Sequence, residues 1–136
     1  MDDVKLLALA RDAAQQAHSP YSHFQVGAAL LTRDGQVFCG CNVENASYGL
    51  TICAERTAIC SAIAAGYRDF TSIAIVATRT ATPCGACRQF LAEFVKPTFR
   101  VLVGALSEPE RHQVYSMEEL LPHHFVLQNQ ESEDQV

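Results

Sequence analysis

The chain has 136 residues, 49% hydrophobic and 18% charged, with 10 basic against 15 acidic side chains for a formal net charge of −5. Such a length suits a single domain with a real core, and the low charge content leaves room for subunit contacts. An acidic balance without any Lys/Arg cluster argues against a nucleic-acid partner, because basic side chains must neutralise the phosphate backbone.

An opening helix is predicted from Asp3 to His18, where Val4, Leu7, Ala8, Arg11, Ala14 and Gln15 form a loosely amphipathic stripe. Pro20 ends it. Val26 to Thr32 and Gln36 to Cys41 read as a hairpin turning at Arg33-Asp34-Gly35, with Asp-Gly as the turn signal. A second helix starts at Cys53 and stops at Gly66, a favoured residue just past a helix end. Ile73 to Thr78 and Arg100 to Leu106 are apolar at every position apart from the polar ends Thr78 and Arg100, as central strands covered on both faces are. Between them Pro83 announces a third helix that opens at Cys84 and carries Cys87, Phe90, Leu91 and Phe94. Ser116 and Glu119 are spaced as a capping box for a short helix that ends before Pro122.

Helices alternating with strands imply crossover connections and a parallel portion of sheet, and the hairpin adds an antiparallel portion. The expected fold is α/β, three layers α/β/α around a mixed sheet of about five strands. One domain over residues 1–127 and a polar tail over 128–136 are expected. No stretch reaches the roughly eighteen apolar residues of a membrane span. Met1-Asp2-Asp3-Val4-Lys5 lacks the charge and apolar run of a secretory signal. A cytoplasmic protein with no membrane partner is the expectation.

The chemistry concentrates in Cys53-Ala54-Glu55-Arg56 and Pro83-Cys84-Gly85-Ala86-Cys87-Arg88. Three thiols at metal-ligand spacing leave a fourth zinc position for water, as catalytic sites do and closed structural sites do not. Cys84 and Cys87 share a face of one helical turn, and free N–H groups at a helix start favour anionic sulfur. Glu55, next to a ligand, is placed to carry that water's protons. Arg56 and Arg88 are candidate donors to the ligand sulfurs, where they would offset excess negative charge. Cys39, Cys41 and Cys60 sit among apolar residues and read as ordinary buried thiols, and the five histidines read as surface residues.

These segments resemble the zinc-dependent cytidine deaminases, in particular the short homotetrameric branch that acts on free nucleosides. Pro20-Tyr21-Ser22-His23-Phe24-Gln25-Val26-Gly27, Gly40-Cys41-Asn42-Val43-Glu44-Asn45-Ala46 and Glu119-Leu120-Leu121-Pro122 extend the similarity over most of residues 5 to 126. The resemblance implies one zinc per subunit on Cys53, Cys84 and Cys87, with Glu55 as the proton shuttle. It implies that Asn42 and Glu44 bind the ribose 3′-hydroxyl, that the Ala54 N–H holds the base carbonyl, and that Phe24 packs on the pyrimidine. Phe125 and Tyr48 would contribute across subunit boundaries. The implied activity is hydrolysis of cytidine and deoxycytidine to the uridine products with release of ammonia, a pyrimidine-salvage reaction.

Three rivals are weaker. A closed zinc module would need Cys41 or Cys60 as fourth ligand, and a thiol redox protein would leave Cys53-Ala54-Glu55 without a purpose. A deaminase of the blasticidin type shares the cysteine segments, but Asn42 with Glu44 and the Phe24-Gln25-Val26-Gly27 segment favour a nucleoside.

Overall fold

The computed structural model describes residues 1–127, so the tail expected over 128–136 lies outside the described residues. Its elements run α1 (Asp3–Ala14), β1 (Val26–Thr32), β2 (Val37–Cys41), α2 (Ala54–Ala64), β3 (Phe70–Ala77), α3 (Gly85–Ala92), β4 (Arg100–Ala105), β5 (Glu108–Ser116) and α4 (Met117–Leu120). The strands form one sheet in the order β2-β1-β3-β4-β5. β3 and β4 pair parallel, and the other neighbours pair antiparallel.

Alternation along the central strands divides the core in two. Ile73, Ile75, Val101 and Val103 face α2 and α3 with Ala58, Ile59 and Leu91, whereas Ala74, Val76 and Leu102 face α1 with Leu6, Leu7 and Ala10. Helices therefore cover both faces, as expected. Each fully buried Leu or Ile contributes about 1.5–3 kcal/mol. Two glycines let the helices sit directly on strand backbone. A Cβ on Gly27 would lie 1.9 Å from the Ala10 carbonyl oxygen of α1, and one on Gly40 would lie 2.5 Å from the Ala58 nitrogen of α2.

The hairpin forms where the Asp-Gly signal placed it, with Gly35 at φ 93, and the Ser116/Glu119 capping box is present. Three expectations need correction. α1 ends at Ala14 rather than His18, because bonds from Gln15, Gln16 and Ala17 reach back only three residues and the His18 N–H goes to the Asn42 carbonyl. β5 went unanticipated because Glu-Pro-Glu-Arg-His-Gln is polar, as befits the solvated face of an edge strand. Cys39 and Cys60 are exposed and Cys41 is half-buried. Cys60 lies on the outer face of α2, opposite Ile59 and Ala62, and Cys39 lies on the edge strand.

The antiparallel registers Val26↔Ala77 and Gly27↔Cys41 bring the start of β1 and the carboxyl ends of β2 and β3 to one end of the sheet. The functional segments 42–55 and 78–87 leave from that end, where open α/β sheets bind ligands.

Candidate active site

Cys53 and Cys84 are the residues immediately before α2 and α3, both in extended conformation, and neither makes a side-chain capping bond. Cys87 follows in the first turn of α3 and is buried. Cys53 is delivered by a backbone pair between Val43 and Ile52, whose two N–H···O bonds of 2.9 Å close the loop that holds the Tyr48–Leu50 turn. The three Sγ atoms all lie within 4.8 Å of one another. Tetrahedral zinc with bonds of about 2.3 Å holds its sulfurs about 3.8 Å apart, so the cluster has the dimensions and the donor chemistry for that ion. The three cysteines are positioned to bind a metal.

Charge in the cluster is asymmetric. The Cys53 thiol is brought down to about 5, first by a hydrogen bond from Cys87 and then by Arg56, against the opposing effect of burial. Cys87 is pushed up as the donor of that bond, with burial and the Glu55 charge adding to it. Arg56 donates through Nη2 to Cys53 Sγ at 3.6 Å and to the Thr51 carbonyl at 3.4 Å. Among the described residues its buried Nε has no partner, which fits a site built to hold negative charge. Arg88 behaves otherwise. Its guanidinium binds the Pro83 carbonyl at 2.7 Å, the Leu120 carbonyl at 2.7 Å and Thr82 Oγ1 at 2.9 Å. The expectation that it serves a sulfur gives way to a strap that ties the Cys84 turn to α4.

Glu55 is 5% exposed. Burial raises its carboxyl above the ordinary range and the Cys53 charge adds to this, while backbone and Cys87 hydrogen bonds and Arg56 oppose it. A cavity of about 190 Å³ collects Glu55 with Phe24, Asn42, Cys53, Ala54 and Cys84. Ala54 opens α2, where backbone N–H groups lack intrahelical partners. A second hollow beside it holds Glu44, Tyr48, Tyr21 and Ser22, and Thr51 borders both. Asn42 is 8% exposed, and its amide accepts from the Val26 N–H at 2.9 Å and donates to the Phe24 carbonyl at 2.7 Å. Glu44 is held below the usual carboxylate range, first by the Ser22 hydroxyl and then by backbone N–H groups of Ser22 and Tyr21.

Two anticipated residues are largely exposed. Tyr48 is 74% exposed and meets Tyr21 edge to face at 5.8 Å, and Phe125 is 69% exposed and borders neither hollow, its carbonyl accepting from Gln89 at 3.0 Å. One residue was missed. The Arg79 guanidinium lies 5.0 Å from the centre of the Phe24 ring. A lone basic residue in a loop gives no sequence signal for a contact across 55 positions.

Residues 1–104 match the family described as the cytidine and deoxycytidylate deaminase zinc-binding region. This chain is a member of that family. A cytidine deaminase of Halalkalibacterium halodurans is 48% identical over 131 residues, spanning 95% of this chain and 98% of that protein. The solved structure of a cytidine deaminase from Burkholderia pseudomallei matches with a TM-score of 0.87 at 50% identity, covering 92% of this chain and 100% of that one. A blasticidin-S deaminase of Bacillus cereus is more distant, at 29% identity over 107 residues and 71% of this chain. Family membership accords with the three-layer fold, and the zinc-binding region of this deaminase contains all three clustered sulfurs. Among the described residues no helix is long and apolar enough to cross a membrane.

Proposed function

We propose that this protein hydrolyses the 4-amino group of free cytidine and deoxycytidine, giving uridine or deoxyuridine and ammonia. One observation carries the reading: a buried carboxyl, Glu55, shares a cavity of nucleobase scale with two sulfurs of the metal cluster and a polar amide. When held by Cys53, Cys84 and Cys87, zinc supplies Lewis acidity that lowers the pKa of a water from about 15.7 toward 7.

The chain's own residues do the rest. Glu55, whose carboxyl burial pushes above its ordinary range, takes a proton from the attacking water and places it on ring N3. This draws electrons from the C4 carbon as its new C–O bond forms. The same carboxyl, ionised again, takes the remaining proton from the new C4 hydroxyl and passes it to the exocyclic nitrogen; the C4–O bond becomes a carbonyl as the C4–N bond breaks, and ammonia leaves with that pair of electrons. The Ala54 N–H holds the base carbonyl and Phe24 packs on the ring. Arg56 balances the sulfurs so that the ion keeps its acidity.

Sugar recognition follows from unused bonding capacity. With one lone pair and one N–H of Asn42 committed to backbone, a single N–H remains for the oxygen of the 3′-hydroxyl. That hydroxyl donates in turn to Glu44. A pair suited to a sugar hydroxyl supports a nucleoside over the blasticidin class, as does the weaker similarity to the latter.

The same reading includes a single domain over residues 1–127, a role in pyrimidine salvage, a cytoplasmic location and a homotetramer. Tyr48 in the sugar hollow and Leu50 and Ile52 in the same segment are exposed apolar residues, and cover by further copies would bury them and bring Tyr48 and Phe125 to neighbouring sites. Sedimentation equilibrium should give four times the chain mass of 14.9 kDa. The decisive assay incubates zinc-loaded protein with cytidine and follows loss of substrate absorbance and release of ammonia. Neither signal from a zinc-replete sample would refute the activity. Glu55→Gln should keep its zinc and lose at least about a thousandfold in turnover.

A further inference from the structure

The Glu44 carboxylate is held by a small and ordered set of donors. Its Oε1 accepts from the backbone N–H of Tyr21 at 3.0 Å and from that of Ser22 at 3.2 Å. Among the described residues its Oε2 accepts from the Ser22 hydroxyl alone. The same hydroxyl oxygen accepts from the Phe24 N–H at 3.0 Å, so one serine joins the carboxylate to the residue whose ring lines the adjoining cavity. His23 between them has φ 57 and donates its N–H to the Ser19 carbonyl at 2.9 Å. A residue with a Cβ keeps that left-handed conformation only when its surroundings hold it.

Counting lone pairs assigns the roles. An ionised carboxylate offers about four acceptor sites, two on each oxygen. Two backbone donors fill Oε1, the Ser22 hydroxyl takes one site on Oε2, and one site on Oε2 is left. Any sugar hydroxyl that donates to Glu44 must therefore use the oxygen that Ser22 orients. Two donors on Oε1 make it a pivot. Rotation about the last side-chain torsion of a glutamate is broad, so those donors leave the swing of Oε2 to be stopped by the serine.

We propose that Ser22 is a positioning residue for sugar recognition: its hydroxyl sets the plane of the Glu44 carboxylate so that one lone pair of Oε2 meets the nucleoside 3′-hydroxyl. This rests on the reading of Glu44 as the 3′-hydroxyl acceptor. Ser22 lines the hollow that holds Glu44 and not the cavity that holds Glu55 and the sulfurs, so its effect passes through Glu44. Fixing the carboxylate before the substrate arrives removes an ordering cost from binding, so the contribution belongs in KM more than in kcat.

The test compares zinc-loaded wild type, Ser22→Ala and Ser22→Thr on cytidine and on 3′-deoxycytidine, with thermal unfolding of each protein alongside. Ser22→Ala should lose about tenfold in kcat/KM on cytidine, chiefly through KM, as expected for a bond to a charged group. Its kcat/KM on 3′-deoxycytidine should stay within about twofold of wild type, and Ser22→Thr should recover most of the cytidine loss. Equal loss on both substrates would reduce Ser22 to a structural prop of the Phe24 turn, and no loss on either would also overturn the proposal. Wild-type indifference to the 3′-hydroxyl would overturn the Glu44 assignment and the proposal together. Turnover of neither nucleoside by wild type would instead overturn the deaminase reading.

Discussion

Gly40→Ala tests how the sheet sets the depth of the active-site helix. The added Cβ would meet the Ala58 nitrogen at 2.5 Å and the Ala54 carbonyl oxygen at 2.6 Å, where ordinary contact begins near 3.4 Å. Both obstacles are backbone, so no side chain can turn away, and α2 must retreat by close to 1 Å, about the shortfall between those distances. Overpacking of this kind costs about 1–3 kcal/mol and should lower Tm by several degrees. Because α2 begins on Cys53 and carries Glu55 and Arg56, the same retreat pulls one sulfur away from Cys84 and Cys87. A displacement of about 1 Å at reacting groups costs roughly a hundredfold in rate. Gly27→Ala is the control, since its Cβ would strike the Ala10 carbonyl oxygen of α1 at 1.9 Å, on the face that carries no metal ligand. It should destabilise at least as much while zinc per folded chain holds. The assay pairs thermal unfolding with zinc content and initial rates on cytidine. A Gly40→Ala protein with native stability and native rate would refute the reasoning, as would equal zinc loss in both variants.

Arg88→Ala removes three hydrogen bonds, two of them to main-chain carbonyls, and should cost about 2–4 kcal/mol together with faster zinc loss to a chelator. Unchanged unfolding and chelation would show that the strap is idle. Arg79→Ala should raise KM for cytidine about two- to fivefold at constant kcat, the scale of an exposed cation–aromatic contact, and a fall in kcat alone would contradict it. Asp3 is held below its usual range, first by its hydrogen bond to Arg100. A depressed acid stabilises the fold above its unfolded pKa, and that stability is lost as pH falls through the lower folded value. Its side chain is 33% and that of Arg100 48% exposed, so solvent screening limits the effect to under about 1 kcal/mol. Asp3→Asn should therefore unfold slightly earlier at pH 7 and no earlier than wild type at pH 2, as read by urea melts at both pH values.

The features legible in the sequence are those that depend on neighbours along the chain. The Asp34-Gly35 turn, the Ser116/Glu119 cap, and the paired cysteines of one helical turn each need only a few residues to declare themselves. Arg56 belongs with them, since its partner Cys53 is three positions away. The Leu120 carbonyl that Arg88 reaches lies 32 residues on, and the Phe24 ring under Arg79 lies 55 residues back, so only the folded chain reveals either contact. β5 was hidden for another reason: an edge strand keeps one side wet, and the apolar signal that marks buried strands fades there. Exposure of Cys39 and Cys60 escaped notice because apolar neighbours along a chain say little about which way one side chain faces.

Both helices that frame the site begin on a cysteine whose side chain caps nothing. Serine or aspartate at those positions would fasten its own helix at once, whereas sulfur waits for an ion taken up from outside. Assembly of this end of the molecule is thus coupled to metal supply, and each zinc captured adds to the free energy of folding. Starved of the ion, cells would accumulate a chain whose sheet is formed but whose helix starts are loose, and proteolysis should find that end first.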